Sequence, residues 1–166
     1  MAEKETGAAF ALSLQGGAEA QKKQVEAVLS CNEKTSANGL ALTAEQAQRL
    51  VEVRTGSLKK TGRIELGRGI LDRLILAFSD SPYLSQDNYE DTLQELVELF
   101  YSFKNETDDR VRDVVLISYM KEAFDGECAG SVELLAEEAL LKLVYEVNGR
   151  PAKMFQMPQD VGGDRL

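Results

Sequence analysis

Apolar side chains recur every three to four positions along most of this chain, the spacing that gathers them on one face of a helix. Val25, Val28 and Leu29, with Asn32, form a narrow stripe that predicts a first helix over about 18–36, broken at Asn38-Gly39. Thr43-Ala44-Glu45-Gln46 reads as a capping box, in which the Thr hydroxyl accepts from the amide three residues on and Gln46 reaches back. It predicts a helix over about 44–60 with Ala47, Leu50, Val51, Arg54 and Leu58 on one face and Gly62 ending it. Ile70, Leu71, Leu74, Ile75 and Phe78 predict a third helix over about 69–79, closed by the turn Asp80-Ser81-Pro82.

Ser85 reads as the N-cap of a fourth helix, about 86–105, with Asp87, Glu90 and Asp91 in its first turns. Tyr89, Leu93, Leu96, Val97, Phe100 and Phe103 form its inner face, widened by Leu99 and Tyr101. Thr107 or Asp108 caps a fifth helix, about 109–124, with Val111, Val114, Ile117, Met120 and Phe124 inward. Ser131 caps a sixth, about 132–148, whose Val132, Leu135, Ala136, Ala139, Leu140, Leu143, Val144 and Val147 make the cleanest stripe in the chain. Gly149 and Pro151 stop it in the expected order.

The expected fold is all-α: a single-domain bundle of five to six helices, with the fourth and sixth as its central pair. Residues 18–149 form the domain, residues 1–17 a flexible N-terminal tail with a short extended piece at 9–14, and residues 150–166 a flexible C-terminal tail. Two related helix–loop–helix units are also suggested. Ala77-Phe78 precedes the cap Ser85 as Ala123-Phe124 precedes the cap Ser131, at a spacing of 46 residues. The match decays downstream, and chance similarity of two amphipathic hairpins is the plainer reading.

Composition narrows the chemistry. With no His and only two Cys among 166 residues, no imidazole-based catalysis, His-ligated metal or four-ligand Cys/His zinc site is available. The net charge of −9 is uneven: residues 1–68 carry 10 basic and 8 acidic groups, residues 69–166 carry 9 and 20. Such acidity repels phosphate backbones, so no nucleic-acid partner is expected, and no basic recognition helix is found. Cys31 and Cys128 do not make a disulfide framework; both are read as reduced and buried, which points to a cytoplasmic setting. No apolar run approaches a membrane span, so no membrane partner is expected. The apolar stretch at 7–14 is too short and too acidic in its flank for a secretion signal.

Three constellations are candidates for chemistry. Asp125-Gly126-Glu127-Cys128-Ala129-Gly130-Ser131-Val132-Glu133 is similar to a calcium loop, with Asp125, Glu127 and Glu133 at ligand positions. Ala129 and Ala136 stand where further ligands belong, and the bidentate Glu is missing. In Gly62-Arg63-Ile64-Glu65-Leu66-Gly67-Arg68-Gly69, three glycines and two arginines open a helix, a setting that suits an anion, though neither phosphate-loop spacing is present. The acidic pairs Glu95/Glu98, Asp108/Asp109 and Glu137/Glu138 fall on polar helix faces, where a solvated surface is the default. No cofactor, metal or catalytic residue is therefore assigned. Arg63, Glu65, Arg68, Asp125, Glu127 and Cys128 stand as the candidate ligand or partner surface.

Cys31-Asn32-Glu33-Lys34-Thr35, Gly39-Leu40-Ala41-Leu42-Thr43, Gly62-Arg63-Ile64-Glu65, Phe78-Ser79-Asp80-Ser81-Pro82-Tyr83 and Phe124-Asp125-Gly126-Glu127-Cys128 together resemble an uncharacterised family of about this length. The resemblance covers about residues 20–148. It implies a stand-alone domain in the cytosol of Gram-positive anaerobic bacteria and supplies no catalytic residue. The function expected is that of a small acidic helical module that binds a protein partner, rather than an enzyme. Its oligomeric state is left open. The alternative is a small-ligand or anion binder, or an enzyme of unfamiliar type, built from the two loops, which would then have to meet in space.

Overall fold

The computed structural model describes residues 17–65 and 69–149. The tails expected at 1–17 and 150–166, the extended piece at 9–14 and Arg68 fall wholly or almost wholly outside these residues. Among the described residues every regular element is helical, as the periodicity predicts. The elements are α1 (17–30), α2 (Asn32–Thr35) running into a 3-10 turn (Ser36–Asn38), α3 (Ala44–Lys60), α4 (Leu71–Phe78), α5 (Tyr89–Glu106), α6 (Asp113–Asp125) and a last helix, α7. This last one starts at Val132–Leu134, widens into a π-helical turn at Leu135–Ala139 and continues through Leu140–Asn148.

The predicted first helix is interrupted at Cys31 and tightens before Gly39, whose φ of 77° ends it in a left-handed turn. The link to α3 is then held by side chains. Thr35 Oγ1 donates to the Leu40 carbonyl at 2.8 Å. The Gln86 amide bonds both the N–H and the C=O of Ala41, and the Asn32 amide does the same for Leu42. Leu40 and Leu42 can therefore be buried without stranding their backbone polar groups. Asn32, read from the sequence as part of the apolar stripe, is the bracket of this connection.

α3 has the predicted bounds and both halves of the predicted capping box. Two other helix starts differ from the prediction. α5 begins after Asn88 and not after Ser85, because Asn88 folds the preceding turn: its Oδ1 accepts from the Ser85 amide and its Nδ2 donates to the Tyr83 carbonyl. α6 starts at Asp113, four residues later than expected. Residues 107–112 form instead a turn with Asp108 and Asp109 at φ 53° and 57°. Arg63 and Lys104 hold Asp109 there, and the nearly buried Lys104 also donates to the Val111 carbonyl at 2.7 Å. Val114, expected inward, lies in the first turn of α6 and is 55% exposed, while Leu116 is buried.

α5 is the central helix, burying Leu93, Leu96, Val97, Phe100 and Tyr101. Its principal neighbour is α3 rather than α7. Arg49–Glu90 ties the starts of these two helices, and Asn105 Nδ2 to the Thr61 carbonyl ties their ends, so α3 and α5 run parallel. The widened turn of α7 shifts its hydrogen-bond ladder, and Tyr119 Oη of α6 donates to the Ala139 carbonyl there at 2.8 Å. The two suggested hairpins correspond to α4–α5 and α6–α7, but the first connection is 79–88 and the second only 126–131.

Candidate functional site

The residues singled out from the sequence divide into two separate sets. Arg63 Nη1 and Nη2 form a fork on the Asp109 carboxylate at 3.0 and 2.6 Å, and Nη1 also donates to Asn105 Oδ1. That pairing raises the Arg63 pKa and lowers that of Asp109. Glu65 turns the other way, into the bundle. Its Oε1 accepts from Arg54 Nε at 2.9 Å, Arg54 Nη2 at 2.6 Å and Tyr101 Oη at 2.6 Å. Arg54 is only 4% exposed and places its remaining nitrogen, Nη1, on Gln24 Oε1. Desolvation pushes the Tyr101 hydroxyl well above its ordinary pKa, and the carboxylate it donates to pushes it further. Gly69, at φ 75°, closes over the cluster: a Cβ there would stand 2.6 Å from Glu65 Oε1. The cluster pins the loop after α3 to α5 with a buried ion pair.

Asp125 belongs to the other set. Its Oδ1 accepts from Ser81 Oγ and its Oδ2 pairs with Lys121, each at 2.7 Å; Lys121 also pairs with Asp80. Glu127 is exposed, and Cys128 is 2% exposed with its thiol pKa raised, first by burial and then by Glu127. Gly130, at φ 81°, packs so tightly that a Cβ would lie 2.5 Å from Tyr83 Cβ. These contacts make the loop a joint between two connections. Among the described residues no group of three or more His, Cys, Asp or Glu side chains is placed to hold a metal ion. Arg63 pairs near the C-terminal end of α5 and Asp125 with the connection that precedes α5, so the geometry does not assemble the two loops into one site.

A third feature was not predicted from the sequence. A groove of about 770 Å³ runs between α3, α5 and α7. Each helix gives it one face, at i, i+3/i+4 spacing: Val53, Gly56, Ser57 and Lys60 from α3; Glu95, Glu98, Leu99, Ser102 and Glu106 from α5; Val132, Glu133, Ala136 and Glu137 from α7. Val53, Leu99, Val132 and Ala136 are half-buried and form an apolar floor. The five glutamates stand exposed along the rim, against one lysine. The pairs Glu95/Glu98 and Glu137/Glu138 are exposed, as expected of solvated faces. The missed signal was their flanking of Leu99 and Ala136, together with a glycine inside an otherwise regular helix. Such a floor and rim can hold an apolar face framed by cations.

No curated protein and no solved structure matches the chain. A family model does match, over residues 27–152, from before the break at Cys31 to just past the end of α7, and so over all three walls of the groove. The chain accordingly belongs to the family of unknown function DUF6323.

Proposed function

We propose that this protein works as an interaction module that holds an amphipathic segment of a protein partner in the groove between α3, α5 and α7. The observation that carries this reading is the groove itself, in which half-buried Val53, Leu99, Val132 and Ala136 form an apolar floor beneath a rim of exposed glutamates. A concave apolar floor with a polar rim has the shape into which an amphipathic helix docks. The alternative of a ligand or anion site draws no such support, because the Arg63 guanidinium and the Asp125 carboxylate are occupied by partners within the chain. The setting we propose is the bacterial cytosol. Neither cysteine is in a disulfide and both are buried, as suits a reducing compartment, and no helix among the described residues is long and apolar enough to cross a membrane.

The reading is tested by a photo-crosslinking side chain placed at Glu98 on the rim, with one at Glu33 as the control. The expected result is a single protein crosslinked from Glu98 in the cell of origin, bound again one-to-one when purified, and lost when Gly56→Leu fills the groove. Equal crosslinking from both positions, or binding indifferent to Gly56→Leu, refutes it.

A further inference from the structure

We infer that the groove's occupant is a cationic amphipathic α-helix of about three turns, an identity that rests on the docking role proposed above. Three observations support it. The first is charge. Glu95, Glu98, Glu133 and Glu137 line the rim from two sides, and Lys60 is its one base among the described residues, so an occupant with lysine or arginine flanking an apolar stripe is matched and an acidic one is repelled. The second is the walls. All three are helices and none presents a strand edge, so an extended peptide would find no β ladder to pair with. A helix satisfies its own backbone. The groove's extent along α5, from Glu95 to Glu106, is about 16 Å at 1.5 Å per residue, which is three turns.

The third observation is Gly56. It sits inside α3, where glycine weakens a helix, yet a Cβ there would meet nothing within 4 Å. No contact among the described residues calls for a glycine at that position, in contrast to Gly69 and Gly130. Its missing side chain lets another backbone come close to the wall of the groove. The groove thus offers floor, charge and clearance for one kind of guest.

The test uses three fluorescein-labelled 14-residue peptides and the full chain, read by anisotropy. One carries Leu at i, i+3/i+4 and i+7 with Lys and Arg on its flanks. The second replaces the cations by Glu, and the third places Pro at the centre. The cationic peptide is expected to bind, about tenfold more weakly at 0.5 M salt, where exposed charges are screened. The variant E95Q/E98Q/E133Q/E137Q should lose at least about tenfold with an unchanged circular dichroism spectrum. Equal binding of the acidic or the proline peptide overturns the cationic helix while leaving the groove as a docking site. Binding of no peptide up to 1 mM also overturns it, and the crosslink from Glu98 then decides the docking role separately.

Discussion

Phe124 packs edge-on against Phe78, with ring centroids 5.5 Å apart and an interplanar angle of 73°. The two rings occupy corresponding places in the α4–α5 and α6–α7 hairpins, 46 residues apart, and meet where the hairpins touch. Both are fully buried, and Tyr83 meets Phe124 from another side at 6.3 Å. Phe124→Leu is expected to cost about 1–3 kcal/mol, and Phe78→Ala about 3–5 kcal/mol. A double-mutant cycle in urea should return a coupling of about 0.5–1.5 kcal/mol for the ring pair. Additive losses would remove the edge contact as an energetic feature.

The Arg54–Glu65–Tyr101 cluster sets a second expectation. Glu65→Ala leaves a guanidinium that is 4% exposed without its carboxylate, which should cost about 3–5 kcal/mol. Tyr101→Phe removes one hydrogen bond to a charged group and should cost about 1.5–3 kcal/mol. If chemical denaturation finds Glu65→Ala within 1 kcal/mol of the parent, the cluster does not hold the loop after α3.

Stability should fall in alkali. Burial raises Tyr89 from 10.0 to about 12, and Tyr101 is raised as well, first by desolvation and then by Glu65. A tyrosine whose folded pKa is raised keeps its proton in the native state after the unfolded chain has lost it. The unfolded state then binds fewer protons, so stability is whole below about pH 10 and declines from there towards pH 12. Thermal melts from pH 8 to 11.5, with tyrosinate absorbance followed in parallel, check this; a flat profile across that range contradicts it.

The acid limb should be shallow. Asp80 and Asp109 have folded pKa values lowered by Lys121 and Arg63, so the stability they add is present above their ordinary value of 3.8 and lost as pH falls below it. Both carboxylates are more than half exposed, which keeps each contribution to at most about 1 kcal/mol. Melts between pH 5 and 2 should show this small loss, and 0.5 M salt should flatten it.

Two glycines should respond oppositely to alanine. Gly56→Ala should stabilise by about 0.5–1 kcal/mol, since the site is helical and open. Gly130→Ala should destabilise, because φ is 81° and the new Cβ would collide with Tyr83. Calorimetry of the two variants gives the signs directly, and a destabilised Gly56→Ala would show that α3 itself needs the glycine.

Helix identity and most inward faces were legible along the chain, because they depend on side chains three or four positions apart. Thr43 with Gln46, Ser131 with Leu134, and the stripe from Leu135 to Val147 act within one or two turns of backbone. The turns at 85–88 and 107–112 were not so legible. At the second, Asp109 pairs with Arg63, 46 residues away, a partner that no local pattern around Thr107 or Asp108 reveals. Ser85 reads as the cap from the sequence, but the Asn88 side chain folds residues 83–88 into a turn and moves the helix start to Tyr89.

The candidate site divides along the same line. Sequence alone determined that the chain is helical, acidic in its second half and without imidazole, because these follow from composition and short-range period. Only the tertiary structure decided that Arg63 and Asp125 engage partners in different parts of the fold, that Arg54 is buried on Glu65, and that glutamates from α5 and α7 face each other across an apolar floor. Each of those relations joins residues distant in sequence, and the close packing of helices, not any local preference, brings them within reach.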